Sequence, residues 1–196
     1  SNKIFADSNS QIELLKEEKI ISNERITVLG HGSISGVDTE KFRDDFKFKK
    51  LFRKSIDCGE NSCVFLFLGR VKKEKGIFQI FEIFKNFEHK LNNVELWIVG
   101  PDEENLKPEL MNSFSFNILK VRWFNFTPNP QNFMKSSDIL LLPSSREGFG
   151  NVIIEAASCA VPAIAFDIHG VRDAIINNQT GILIKDQTTN SFAEGL

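Results

Sequence analysis

No stretch of the 196 residues is apolar for long enough to span a bilayer, and nothing in the sequence resembles a secretory leader. Cysteine is scarce. Cys58, Cys63 and Cys159 are an odd number without zinc-site spacing, and they read as free thiols in a reducing compartment. Tyrosine is absent beside 19 phenylalanines, a bias that reads as codon usage and carries no chemistry. There is no strong basic excess either: a net charge of -2 excludes a general nucleic-acid binder. Several motifs are missing. There is no GxxxxGK[ST] loop, no GxGxxG after a strand and no GxSxG around Ser144-Ser145. No Asp-x-Asp pair is present to hold a divalent metal against a diphosphate.

What is present is regular. CVFLFLG (63–69), VELWIVG (94–100), LKVRWF (119–124), DILLLP (138–143), VPAIAF (161–166) and GILI (181–184) read as strands, mostly buried on both faces. Between them, helices are expected over 76–91 (Ile77, Ile80, Phe81, Phe84, Leu91), 129–136, 150–160 and 171–177, and the last residues read as a cut helix. Upstream, IFADS (4–8) and RITVLG (25–30) read as short strands around a helix with Ile12, Leu15 and Lys19 on one side. HGSISGVD (31–38) reads as a loop. Residues 39–54 read as a helix with Phe42, Phe46, Leu51 and Phe52 on its apolar side. Strands alternating with helices imply an α/β, Rossmann-like, doubly wound parallel sheet of about six strands. Ligands of such sheets lie at the carboxyl ends of the strands. That rule selects GRVKKEKG, GPDEEN and PSSREGFGN.

GRVKKEKG (69–76) sets Arg70, Lys72, Lys73 and Lys75 between a strand and a helix, where cations can hold a phosphate. A solvated basic loop fits the same residues. In EGFGN (147–151), Gly148 and Gly150 allow backbone N–H groups to approach an anion at the start of a helix. Glu147 can accept hydrogen bonds from hydroxyls. Glu155 interrupts an apolar run one turn beyond Asn151 and leans back toward the helix start. A carboxylate there is costly unless something pairs with it. A neighbouring cation or backbone donor, or a ligand diol, fits equally well. His31, His89 and His169 read as loop or helix-end residues without catalytic weight, although His169 follows the fifth strand, where it could line the cleft.

Four segments in this order resemble the C-terminal half of retaining GT-B glycosyltransferases of family 4, the group 1 type. SGVD with Phe42 resembles the N-G-V-D-x-x-x-F linker, with Ser35 in place of Asn. FLGRVKKEKG resembles the G-R-x-x-x-x-K-G loop. SSREGFGNVIIEA resembles the paired-glutamate signature, with seven residues between the carboxylates. AFDIHGVRDAIINNQTGILI resembles the closing segments, with Asp173 where Glu is usual. The resemblance implies that Arg70 and Lys75 bind the donor diphosphate and that Glu147 contacts the donor sugar. Gly69, Gly148, Phe149, Gly150, Asn151 and Val152 would line the donor site, and Glu155 would hold the ribose hydroxyls. The base would lie near GPDEEN and the WFNFTP loop.

By the same resemblance, residues 1–36 are the end of an acceptor domain and a linker. Residues 37–196 are a donor-binding domain, C-terminally truncated. The implied activity is transfer of a hexose or N-acetylhexosamine, with retention, from a nucleotide diphosphate sugar. UDP is the favoured nucleotide, and no metal or other cofactor is implied. The acceptor would be a saccharide or a polyprenyl-diphosphate-linked glycan, in bacterial capsule or cell-surface polysaccharide synthesis. The setting would be cytoplasmic, with peripheral association at the inner membrane face. The isolated fragment is expected to be inactive. The alternatives are an epimerase or starch-synthase-like enzyme of the same fold, a non-catalytic nucleotide-sugar sensor, and a nicotinamide-dependent enzyme, against which the missing GxGxxG speaks.

Overall fold

The structure, a computed structural model, describes residues 3–21, 26–87, 93–114 and 119–196. His89 and Leu91 lie outside them, as does Arg25 of the expected RITVLG strand. Six parallel strands form the main sheet: β3 (Cys63–Leu68), β4 (Val94–Val99), β5 (Lys120–Phe124), β6 (Ile139–Leu142), β7 (Ala163–Phe166) and β8 (Gly181–Ile184). Their order is β5-β4-β3-β6-β7-β8. The chain runs outward from β3 in one direction and then from β6 in the other. The switch point, where such sheets form a crevice, therefore lies between β3 and β6. A separate parallel pair, β1 (Ile4–Ala6) and β2 (Ile26–Val28), flanks α1 (Asn9–Glu17).

The core follows from the apolar strands. Val64, Leu66, Leu96, Trp97, Ile98 and Leu140 are wholly buried. On one face, α3 (Ile77–Phe87) buries Ile77, Ile80, Phe81 and Phe84, the positions that its helical spacing selects. Trp97 packs edge-on to Phe52, Phe124 and Phe133, at centroid distances of 6.4, 6.0 and 6.1 Å. Such pairs contribute about 0.5–1.5 kcal/mol each beyond area burial.

Several expectations are corrected. The helix expected over 39–54 is α2, Phe46–Ser55, and it starts late because the Asp45 side chain caps it by accepting from the Phe48 N–H. Its inward face carries Phe48, Phe52 and Arg53. Phe46 and Leu51 are 78% and 59% exposed, and Phe42 is buried outside the helix. Lys19 falls beyond the end of α1, in a left-handed conformation. The helix expected over 171–177 is only α7, Val171–Ala174. One helix is unanticipated: α4, Lys107–Ser113, is seeded by the Asp102 carboxylate, which accepts from the Leu106 and Lys107 N–H groups. The other helices are α5 (Pro130–Ser136), α6 (Asn151–Ser158) and α8 (Thr189–Glu194).

The VELWIVG strand also holds a buried charge. Glu95 is 4% exposed and accepts from Arg122 Nε at 2.6 Å and from Trp97 Nε1 at 3.0 Å. Burial pushes its carboxyl up, but these hydrogen bonds outweigh it and hold the group below the usual range.

Candidate functional site

The loops that follow β3 and β6 are held together at the switch point. Gly76, at φ +75°, ends a short 3-10 turn over Lys73–Lys75, and a Cβ there would run into the Pro143 carbonyl. The Ser145 N–H donates to the Glu74 carbonyl at 3.0 Å. This contact brings Lys75 beside Glu147. Lys75 Nζ lies 2.7 Å from Glu147 Oε1, and both side chains are only 15% exposed.

Beyond Glu147, the chain turns through Gly150, whose left-handed backbone (φ +75°) leads directly into α6. No side chain caps this helix. Its first N–H groups therefore have no side-chain acceptor, and the positive helix end is open to an anion. A cavity of about 430 Å³ lies here, between the ends of β3 and β6. It brings together Gly69, Arg70, Lys75, Glu147, Gly148, Phe149, Gly150, Asn151 and Val152. The Phe149 ring is buried against Gly32, so this residue presents its backbone rather than its ring. Arg70 is more open than Lys75. Its side chain is 54% exposed, with Nη1 3.6 Å from Glu103 Oε2, which Lys72 also engages at 2.8 Å.

Glu155 is not among the residues lining this cavity. It is half-buried on α6, and no cation or side-chain donor closes on its carboxylate among the described residues. Burial pushes its carboxyl up, opposed by the charge of Lys41. A carboxyl raised in the fold holds its proton more tightly than in the unfolded chain. Its contribution to stability therefore falls as pH rises from the ordinary carboxylate range through the folded value. The carboxyl thus contributes less to stability at neutral pH than in acid. Glu155→Gln is accordingly expected to raise the Tm at pH 7 and to leave it unchanged at pH 4. A lowered Tm at pH 7 would mean that the carboxylate has a structural partner.

Sequence reasoning missed the part played by the first helix. Asp7 lines the 430 Å³ cavity beside Gly148. Gln11 Nε2 donates to the Gly148 carbonyl. Ser10 Oγ accepts from the Gly170 N–H at 2.7 Å, and the Ser10 N–H donates to Asp173 Oδ2 at 3.2 Å. His169 Nδ1 lies 3.0 Å from the Ser10 carbonyl, which can only accept, so Nδ1 carries the proton. The available signal was the polar run DSNSQ after a short strand, which reads only as a helix cap.

A second, larger cavity of about 680 Å³ lies against α1 and the loops after β6 and β7. It shares Glu147 with the first. His169 lines it, while His31 is exposed in its loop.

The sequence profile described as glycosyl transferases group 1 matches residues 48–196. The chain belongs to this family. The capsular polysaccharide biosynthesis glycosyltransferase CapM of Staphylococcus aureus is 34% identical over 188 residues, covering 93% of this chain and 49% of the relative. An Escherichia coli UDP-Gal:alpha-D-GlcNAc-diphosphoundecaprenol alpha-1,3-galactosyltransferase is 29% identical, covering 100% of this chain and 50% of the relative. The chain therefore spans about half the length of these relatives. Among solved structures, Anabaena Alr3699/HepE in complex with UDP and glucose superposes with a TM-score of 0.82 at 17% identity, covering 99% of this chain and 52% of that one. A Rickettsia africae glycosyltransferase gives 0.83 at 23%, covering 98% and 52%. The doubly wound sheet of this group 1 member is thus the fold of half a GT-B glycosyltransferase. Among the described residues, no helix is long and apolar enough to cross a membrane.

Proposed function

We propose that this chain is the nucleotide-sugar-binding half of a retaining glycosyltransferase that builds capsular or related cell-surface polysaccharide. One observation carries the reading: Lys75, Glu147 and the open start of α6 meet in one cavity at the switch point. That set matches what a nucleotide diphosphate sugar needs. Arg70 and Lys75 neutralise the diphosphate as charge builds on the leaving group. The N–H groups of residues 148–152 add fixed dipoles to the same oxygens. Glu147 accepts hydrogen bonds from the sugar hydroxyls. Glu155 accepts from the ribose diol, which repays the cost of keeping that carboxylate ionised. Cations and N–H groups suffice for the diphosphate in this reading, and no protein nucleophile is assigned.

UDP is the proposed nucleotide, with a hexose or N-acetylhexosamine as the donor sugar. Its support is a structural neighbour solved with UDP-glucose and a relative named for UDP-Gal. The acceptor is proposed to be a glycan on a lipid diphosphate, at the inner face of the cytoplasmic membrane. The E. coli relative is named for such an acceptor. Residues 1–36 are proposed as the end of an acceptor domain with its linker, and 37–196 as the donor domain.

The test is calorimetric titration of the chain with UDP, GDP, ADP and UDP-sugars, in chelator, beside Arg70→Ala and Glu155→Ala. UDP binding that survives chelation and weakens about tenfold or more in each variant is the expected result. A folded chain that prefers no nucleotide would overturn the reading.

A further inference from the structure

The 680 Å³ cavity is larger than the one assigned to the donor and meets it at Glu147. Its charged lining is Arg146, Arg172, Glu147 and Asp167. Both carboxylates are already occupied: Lys75 holds Glu147 at 2.7 Å, and Arg172 Nε donates to Asp167 Oδ1 at 2.9 Å. That pairing fixes the Arg172 guanidinium through Nε alone and leaves its two terminal nitrogens without a partner among the described residues. Arg146 is exposed, and only its backbone carbonyl is engaged, by Lys75 at 3.4 Å. The uncommitted groups are therefore one whole guanidinium and half of a second. Planar forks of this kind suit phosphate oxygens. Leu14 and Leu15 of α1 supply an apolar wall on the same cavity.

We infer that this cavity binds the phosphate or diphosphate of a phosphorylated glycan acceptor, with Arg146 and Arg172 as its ligands. The inference rests on the donor reading above, because a group held here lies next to the Glu147 end of the donor cavity. The wall formed by Leu14 and Leu15 would accommodate the first carbons of a lipid attached to that diphosphate. A free glycosyl phosphate would use the two arginines alone.

The test uses the ¹⁵N-labelled chain, first saturated with UDP and then titrated with inorganic pyrophosphate, N-acetylglucosamine 1-phosphate and farnesyl-diphosphate-linked N-acetylglucosamine. The expected result is binding to the UDP-saturated chain, with shifts at the Arg146 and Arg172 Nε–H resonances. Arg146→Gln and Arg172→Gln should each weaken it about tenfold, and Lys in place of Arg should restore part of the loss. Tighter binding of the farnesyl ligand assigns the source as lipid-linked, and equal binding as a soluble glycosyl phosphate. Pyrophosphate that binds only by displacing UDP, or binding that both Gln variants retain, overturns the inference. If UDP itself fails to bind, the donor reading falls, and the same titration in a Lys75→Ala background still tests the second cavity. Loss of pyrophosphate binding on adding Arg146→Gln there supports the arginine site, and no change overturns it.

Discussion

Asp138→Ala is expected to cost about 3–5 kcal/mol of folding free energy, measured by urea unfolding at pH 7. Asp138 Oδ2 accepts from Arg53 Nη2 at 2.6 Å and from the Val64 N–H at 2.7 Å, and Oδ1 accepts from Lys49 Nζ at 2.6 Å. Arg53 is 7% exposed. Its remaining partners are the Ser136 and Ser62 carbonyls, at 2.8 and 2.9 Å. Without Asp138, a buried guanidinium keeps two neutral acceptors and loses its counter-charge. Asp138→Asn keeps the shape and should lose less. Burial pushes the Asp138 carboxyl up, but the hydrogen bonds from Lys49, the Val64 N–H and Arg53 outweigh it and hold it below the usual range. A depressed carboxyl stabilises above its unfolded value, and that stabilisation fades as pH falls through the folded value. The gap between wild type and Asp138→Ala should therefore close in acid. A loss below about 1 kcal/mol at pH 7 would show that the buried pair is nearly neutral overall. This network ties α2 to the starts of β3 and β6, the two strands whose far ends flank the 430 Å³ cavity.

Lys75→Ala is expected to weaken UDP binding about 30-fold or more, the scale for deleting one member of a desolvated charge contact. The informative partner is Glu147→Gln. Lys75 is committed to Glu147. Glu147→Gln releases it, so UDP without a sugar should bind as well as before or more tightly. A UDP-sugar should instead lose about tenfold, because an amide accepts hydroxyl hydrogen bonds less strongly than a carboxylate. Opposite movement of the two ligands, read by calorimetry, is the signature of a carboxylate that serves the sugar. Equal weakening of both would show that Glu147 acts only by positioning Lys75.

The strands of the main sheet and the three loops at its carboxyl edge were legible because burial on both faces leaves continuous apolar runs. The ordered motifs then placed Lys75, Glu147 and the Gly148–Gly150 turn at one edge, and the cavity between β3 and β6 joins them. Local chemistry hid other features. The start of α2 depends on Asp45 acting as a cap, and α4 depends on Asp102 reaching two N–H groups. Neither shows in hydrophobic periodicity. Glu155 stood out as a charge in an apolar run, but periodicity gives a helix face and not its neighbours, and only the fold shows that it sits on α6 outside the lining of the cavity between β3 and β6.

By itself, then, the sequence determined the alternation of strands and helices, the doubly wound class and the loops that carry the cations and the paired carboxylates. The tertiary structure alone decided which charges meet. Asp138 finds Arg53 across 85 positions, Glu95 finds Arg122 across 27, and Gln11 finds Gly148 across 137. The order of the strands and the docking of α1 also set the second cavity, where Arg146 and Arg172 come together. The reason is physical. Backbone periodicity acts over a few residues, whereas the pairing of buried charges depends on strand register and on crossovers that only the packed sheet sets.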